Sequence, residues 1–174
     1  PEKDEIHLMI RSQGANHRLV LSAAANAARV HLSEHAKTGP MEPPMLCMLF
    51  RKYLCGGRVL AVRRIAGDRI LEIDVSNLSE LGDPVTRTLV VEIMGRHSNI
   101  ILRTEDGRII DAARHVGQDI SRVRQVMPGL PYAYPPTQGK LDPETADAEA
   151  VASALENAGG KLEKAIGASI AGFS

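Results

Sequence analysis

Cysteine is scarce in this sequence, and its two cysteines, Cys47 and Cys55, lie in one apolar segment. They form neither a CxxC motif nor a Cys/His cluster, so the sequence predicts neither a zinc site nor a disulfide framework. Such usage fits a reducing, cytoplasmic compartment. We expect no metal and no cofactor.

Long apolar runs are missing as well. No basic start is followed by a hydrophobic stretch and a cleavage site, and no run is long enough to cross a bilayer. We therefore expect neither a signal peptide nor a membrane partner.

Net charge is also lacking, because 21 basic residues balance 21 acidic ones. This balance argues against a protein that coats nucleic acid nonspecifically. The middle is nevertheless rich in arginine: Met45–Leu130 holds 13 basic residues, 12 of them Arg, against 10 acidic ones. Arginine suits phosphate forks and base stacking, although a solvated face of a neutral domain would have the same composition.

Alternating apolar and polar residues predict β-strands through most of the chain. Glu5–Arg11 and His17–Ser22 flank the turn residues 14–16 and predict a hairpin. The steps Gly67-Asp68 and Asp106-Gly107 are further hairpin signals. The other predicted strands are Arg29–Leu32, Arg58–Ile65, Asp68–Val75, Thr86–Met94, Ser98–Arg103 and Arg108–Ala112.

One amphipathic helix is predicted between Pro43-Pro44, which suit a first helical turn, and Gly56-Gly57, which suit a helix end. Beyond the Pro-rich boundary Pro128–Pro136, two more helices are predicted at Pro143–Asn157 and Lys161–Ile170. We expect an α+β fold: an antiparallel β-sandwich-like core with one packed helix in residues 1–136, then a helical segment in residues 137–174.

Five blocks, in order along nearly the whole chain, resemble the RqcH/NEMF (NFACT) family and its N-terminal NFACT-N domain, often labelled as the N-terminal domain of fibronectin-binding protein A. The blocks are Pro43–Val59 (PPMLCMLFRKYLCGGRV), Ala66–Ile70 (AGDRI), Leu81–Asp83 (LGD), Val90–Leu102 (VVEIMGRHSNIIL) and the R..MPG..Y..PP pattern of Arg124–Pro136.

The resemblance implies a fold similar to the N-terminal domain of formamidopyrimidine-type DNA glycosylases, followed by helix-hairpin-helix elements. It also implies ribosome quality control: such proteins bind stalled large ribosomal subunits with peptidyl-tRNA and recruit alanyl-tRNA, so that alanine tails are added to the nascent chain. Family members usually have a helix and a strand before the position of Pro1, and a coiled coil and an RNA-binding domain later. We therefore expect this chain to be a fragment that contacts tRNA.

Asp68 and Arg69 match the Asp-Arg pair that this family uses for tRNA engagement. An Arg fork can hold a phosphate or a base edge, and the neighbouring Asp can orient it or accept from a base amino group. Without the resemblance, a hairpin turn with a solvated arginine would account for both residues.

Arg96, His97, Ser98 and Asn99 lie between two apolar strands, where a tight connection can display polar groups. Arg96 could bind phosphate, His97 could stack on a base, and Ser98 or Asn99 could contact phosphate or sugar. Turn chemistry with structural hydrogen bonds is an equal alternative.

Arg124, in the R..MPG pattern, is a further candidate contact because Pro128-Gly129 restrains the backbone after it. We predict that the chain positions tRNA and is not an enzyme.

The sequence leaves three alternatives open. The first is an extracellular adhesin for fibronectin, which the missing secretion signal disfavours. The second is a glycosylase-like enzyme that uses the amine of Pro1 and the carboxylate of Glu2, an arrangement that we ascribe to where the sequence starts. The third is a docking platform for ribosomal protein or RNA with little affinity of its own, which the neutral charge favours.

Overall fold

The computed structural model of the protein describes residues 4–37, 39–65, 67–136 and 139–173. The chain divides into two compact units. The first comprises Pro1–Arg63 and Ile70–Ala133, and the second comprises Arg64–Arg69 and Tyr134–Ser174.

Two β-sheets form the first unit. One contains β1 (Glu5–Ser12), β2 (Ala15–Ser22) and β3 (Arg29–Ser33) in that order. The other contains five strands that also follow sequence order: β4 (Arg58–Arg64), β5 (Ile70–Leu78), β6 (Pro84–Glu92), β7 (Asn99–Thr104) and β8 (Ile109–Ala112). The pairs β1/β2, β2/β3, β5/β6, β6/β7 and β7/β8 are antiparallel. Short hairpin connections make this order the simplest for an antiparallel sheet.

Both sheets and one helix share a single hydrophobic core. Helix α1 (Met45–Leu54) buries Leu46 and Phe50, which are four residues apart and therefore lie on one face. They join Leu21 of β2 and alternating residues of β5, β6 and β7, namely Ile73, Val75, Leu89, Val91, Ile100 and Leu102. The predicted α+β sandwich-like core with one packed helix is confirmed.

Gly57, just after α1, packs too closely for any side chain. A Cβ atom there would lie 2.7 Å from Val75 Cγ1 and 2.9 Å from the carbonyl oxygens of Leu54 and Ser76. We expect Gly57→Ala to lower the free energy of unfolding by about 1–3 kcal/mol, because backbone or core must shift. Urea unfolding measures it, with Gly167→Ala as the control because a Cβ at Gly167 meets no atom. Equal stability of Gly57→Ala and wild type would contradict the packing.

Two helices occupy the second unit, α2 (Ala148–Ala158) and α3 (Leu162–Ser169). They contact each other, and the Ser169 hydroxyl donates to the Ala154 carbonyl at 3.1 Å. The prediction that α2 begins at Pro143 is wrong. Asp147 caps the helix by accepting the Ala150 N–H at 2.7 Å, while Asp142 accepts the Glu144 N–H at 3.0 Å and holds residues 143–146 in a turn.

The prediction that a strand begins at Asp68 is also wrong, because β5 begins at Ile70. Gly67 has a positive φ of 71°, and the Asp68 N–H donates to the Ile65 carbonyl at 3.2 Å. Asp68 and Arg69 therefore belong to the turn before the strand.

A transmembrane helix would need a long apolar segment, and no helix among the residues described above has one.

Candidate functional site

A single 3-10 turn, Gly95–His97, connects β6 to β7. Gly95 adopts a positive φ of 54°, which glycine tolerates without steric cost. The His97 N–H donates to the Met94 carbonyl at 3.0 Å, and the Ser98 N–H donates to the Gly95 carbonyl at 3.1 Å. The connection is therefore short and hydrogen-bonded on a two-sheet scaffold.

Ser98 and Asn99 are buried beneath this turn, with 0% and 3% of their surface exposed. The Ser98 hydroxyl accepts the Met94 N–H at 2.8 Å. Asn99 Oδ1 accepts the N–H groups of Ile100 and Arg114 at 3.0 Å each, and Asn99 Nδ2 donates to the Arg114 carbonyl at 2.8 Å. Both side chains thus stabilise the turn from inside, and neither faces solvent as the sequence-based interpretation expected.

Arg96 and His97 are the residues that the turn exposes. Arg96 Nε donates to His97 Nε2 at 3.0 Å, an arrangement that requires the proton of the neutral imidazole to be on Nδ1. The other guanidinium N–H groups of Arg96 contact no residue of the described chain. The pair therefore presents a cation and an aromatic ring side by side.

The side chain of Arg114 also holds this turn. One of its Nη atoms donates to the Arg96 carbonyl at 2.8 Å, and the other pairs with Asp4 at 2.9 Å. The backbone at Arg96 is therefore restrained by Arg114, whose own backbone is held by Asn99. Sequence reasoning missed the role of Arg114, which depends on a partner 110 positions away.

Asp68 and Arg69 lie in the second unit, whereas the turn of Arg96 and His97 lies in the first. Asp68 Oδ1 accepts the N–H of Arg69 at 3.1 Å, and both residues are half-buried. In the same unit Arg64 forms an ion pair with Glu144. The Asp-Arg pair is thus set in a tight turn by local hydrogen bonds.

Arg124 is mostly buried, with 15% of its side chain exposed. Its Nε donates to the Ala133 carbonyl at 2.6 Å, and its two Nη atoms form a fork on the carboxylate of Glu92. Glu92 is completely buried and also accepts the hydroxyl of Tyr132 at 2.9 Å. The guanidinium lies 5.3 Å from the Tyr132 ring. Arg124 therefore secures the Pro-rich segment to the sheet.

A cluster of charges spans β4, β5 and β7. Arg63 bridges Asp74 and Glu72, and Glu72 also accepts from Arg103 at 3.2 Å. The hydrogen bond from Arg63 holds the pKa of Asp74 below its ordinary value, against the opposing effect of burial. Arg63 and Arg103 therefore neutralise carboxylates within the sheet, and part of the arginine-rich middle of the chain is paired internally.

Metal-binding side chains do not gather anywhere in the described ranges: no three of His, Cys, Asp or Glu lie close enough together to hold an ion. The fold and the turn define an α+β module that displays Arg96 and His97 from a rigid sheet connection.

The model of one family, described as NFACT N-terminal and middle domains, matches residues 1–174. The chain belongs to this family. It is 40% identical to the protein named Rqc2 homolog RqcH of Bacillus subtilis over 167 residues, and 43% identical to that of Streptococcus suis over 150 residues. These matches cover 95% and 86% of the chain, but only 29% and 27% of the relatives.

Solved structures show the same likeness. The fibrinogen binding protein from Staphylococcus aureus matches with a TM-score of 0.85 and 36% identity, over 100% of this chain and 61% of that one. The N-terminal domain of the fibronectin-binding protein PavA from Streptococcus pneumoniae matches with a TM-score of 0.79 and 37% identity, over 88% of this chain and 58% of that one. The predicted family is confirmed.

Proposed function

We propose that this chain is part of a cytoplasmic ribosome quality-control factor, in which it contacts tRNA on a stalled large ribosomal subunit and supports alanine tailing. The observation that carries the proposal is the exposed Arg96–His97 pair on its restrained turn, in a chain that belongs to the NFACT family. A fixed cation beside an aromatic ring can bind a phosphate and stack on the adjacent base.

The proposal assigns no bond chemistry to these residues. A fixed arginine fork loses little freedom on binding, so it positions its ligand at low entropic cost. Asp68 and Arg69 form a second proposed contact, supported by their match to the Asp-Arg pair of the family. Peptide-bond formation would belong to the ribosome.

The structure narrows the proposed contact set. The side chains of Ser98 and Asn99 form hydrogen bonds beneath the turn, and the guanidinium of Arg124 is bound to the carboxylate of Glu92. We therefore keep Asp68, Arg69, Arg96 and His97 as contacts. Ser98, Asn99 and Arg124 then support the fold and do not contact the RNA.

The test is a tRNA binding titration across a salt series, with this chain and with the full-length factor. We expect Arg96→Ala/His97→Ala to weaken binding about tenfold and to reduce the slope of log K against log salt by about 1. Asp68→Ala/Arg69→Ala should weaken it similarly. Arg122→Ala is the matched control, because Arg122 is exposed and has no partner in the described chain.

Unchanged affinity and slope in both double variants would refute tRNA contact by these residues. A shallow slope for wild type in isolation, with tight binding by the full-length factor, would favour the docking-platform alternative.

A second candidate function comes from the solved relatives, whose names state fibrinogen or fibronectin binding. Binding to immobilised fibronectin at physiological salt tests it, and an affinity for fibronectin above that for tRNA would replace our proposal.

The glycosylase-like alternative rests on Pro1 and Glu2, which lie outside the described residues. The likeness to the glycosylase fold remains a prediction, as does the domain boundary at residue 136.

A further inference from the structure

The first unit contains a cavity of about 350 Å³ at the start of α1, and none of the residues proposed to contact tRNA lines it. Its walls come from β1, from residues 39–44 before α1, from α1 itself and from the end of β8. This volume falls in the range of small-ligand sites, which is about 300–1,000 Å³.

Most of the lining is apolar, which suits a flat ring. Pro43, Pro44, Met45 and Leu46 contribute one side, and Ala112 and Ala113 contribute another. Such groups pack against the faces of an aromatic base without offering competing hydrogen bonds.

One carboxylate oxygen on this lining accepts no hydrogen bond from the described residues. The side chain of Asp111 lines the cavity and is 8% exposed. Its Oδ1 accepts both the Ala112 N–H at 2.9 Å and His115 Nε2 at 2.6 Å, while no described residue donates to its Oδ2. A carboxylate oxygen that faces a cavity and lacks a donor from the protein favours a ligand with a hydrogen-bond donor.

A cation without a carboxylate partner lies on the same lining. Arg51 is exposed, and its guanidinium makes only a weak contact with Met48 Sδ at 3.9 Å in the described chain. Lys37, which also lines the cavity, is by contrast paired with Glu5. Arg51 can therefore take an anionic group of a ligand at little cost, and arginine matches phosphate geometry.

We propose that this cavity binds a nucleotide whose base carries an exocyclic amino group. The base occupies the apolar cavity, its amino group donates to Asp111 Oδ2, and its phosphate pairs with Arg51. Uracil is disfavoured because its only ring donor lies between two carbonyl oxygens, which the carboxylate repels. The inference does not depend on tRNA binding by Arg96 and His97.

The first experiment needs no variant. Wild-type chain is titrated with AMP, CMP and UMP by NMR, following the methyl groups of Met45, Ala112 and Ala113. We expect saturable shifts with AMP and CMP and at least about tenfold weaker binding of UMP. Absence of saturable AMP shifts at these methyls, or equal affinity for the three nucleotides, would overturn the proposal.

Two variants then test the assigned contacts. Asp111→Asn keeps an oxygen for Ala112 and His115 but replaces the free acceptor with an amide donor, so the preference should shift from AMP towards UMP. Arg51→Met should weaken AMP about tenfold and leave adenosine unchanged. An unaltered AMP to UMP ratio in Asp111→Asn would remove Asp111 from the site and contradict the proposal.

The nucleotide could be free or part of an RNA, and competition separates the two. If RNA supplies it, Asp111→Asn weakens binding of oligo-adenosine but not of oligo-uridine, and AMP competes with the oligonucleotide. If the ligand is a free nucleotide, both oligonucleotides bind unchanged. Arg96→Ala/His97→Ala should keep its AMP shifts in either case, so failure of the proposed tRNA contact is distinguishable from failure of this site.

Discussion

Replacing Arg124 with methionine is expected to lower the free energy of unfolding by about 3–5 kcal/mol, since the variant leaves the carboxylate of Glu92 buried without its cation. Glu92 is completely buried, and its other hydrogen bond comes from the Tyr132 hydroxyl. A single neutral donor cannot offset the desolvation of a charged carboxylate. Urea unfolding followed by circular dichroism measures the change.

A double-mutant cycle measures the interaction energy between Glu92 and Arg124 separately from their contacts with other residues. Glu92→Gln/Arg124→Met should recover part of the loss, because the buried charge is gone. Arg122→Met, at an exposed position two residues earlier, should change stability by less than about 0.5 kcal/mol. If Arg124→Met is as stable as wild type but loses tRNA affinity, Arg124 contacts RNA as its sequence pattern predicts and the interior role is wrong.

Lowering the pH is expected to reduce the free energy of unfolding, because the carboxylate of Glu5 stabilises the fold only while it is charged. This side chain is buried in β1 and accepts hydrogen bonds from His7 at 2.8 Å, Arg29 at 2.9 Å and Lys37 at 2.9 Å. Burial alone would raise the pKa of Glu5, but the bonds from Lys37 and His7, with the charges of Lys37 and Arg29, lower the pKa to about 2.

The direction of the pH effect follows from this lowered pKa. The unfolded chain binds a proton at Glu5 near pH 4.5, whereas the folded chain does so only near pH 2. The carboxylate therefore contributes about 3 kcal/mol above pH 4.5, and this contribution is lost as the pH falls from 4.5 towards 2.

Comparison of wild type with Glu5→Gln isolates this group. The variant should be less stable than wild type by up to about 3 kcal/mol at pH 7, and the difference should vanish near pH 2. Glu105→Gln, at an exposed turn position, should track wild type at every pH. A constant difference between Glu5→Gln and wild type from pH 7 to pH 2 would show that the carboxylate has no lowered pKa.

Local patterns were enough to predict most of the elements. Alternation over Glu5–Arg11 and His17–Ser22 predicts the positions of β1 and β2, although the end of β2 is buried on both faces. The Pro43-Pro44 and Gly56-Gly57 steps bracket α1 for equally local reasons. The observed boundaries differ from the predicted ones where a side chain forms a hydrogen bond with the backbone, as Asp147 does at the start of α2.

The candidate site was predicted only in part. The position of the connection between β6 and β7 followed from two apolar strands around a polar run, but Ser98 and Asn99 could not be distinguished from Arg96 and His97 by residue type. The hydrogen bonds of Asn99 depend on Arg114, which follows β8 and is brought to Asn99 by the pairing of β7 with β8. A carboxylate within the apolar run VVEIM signalled that Glu92 needs a partner, without identifying it.

The sequence by itself determined the fold class, the order of the strands and helices and the family, because hydrophobic period, turn residues and ordered motifs are local properties of the chain. Only the tertiary structure decided which arginines form ion pairs inside the protein and which remain exposed. Arg124 and Glu92 are 32 positions apart, and Arg114 and Asp4 are 110 apart. A charge binds whichever opposite charge the fold places beside it, so its partner depends on the packing of the whole unit.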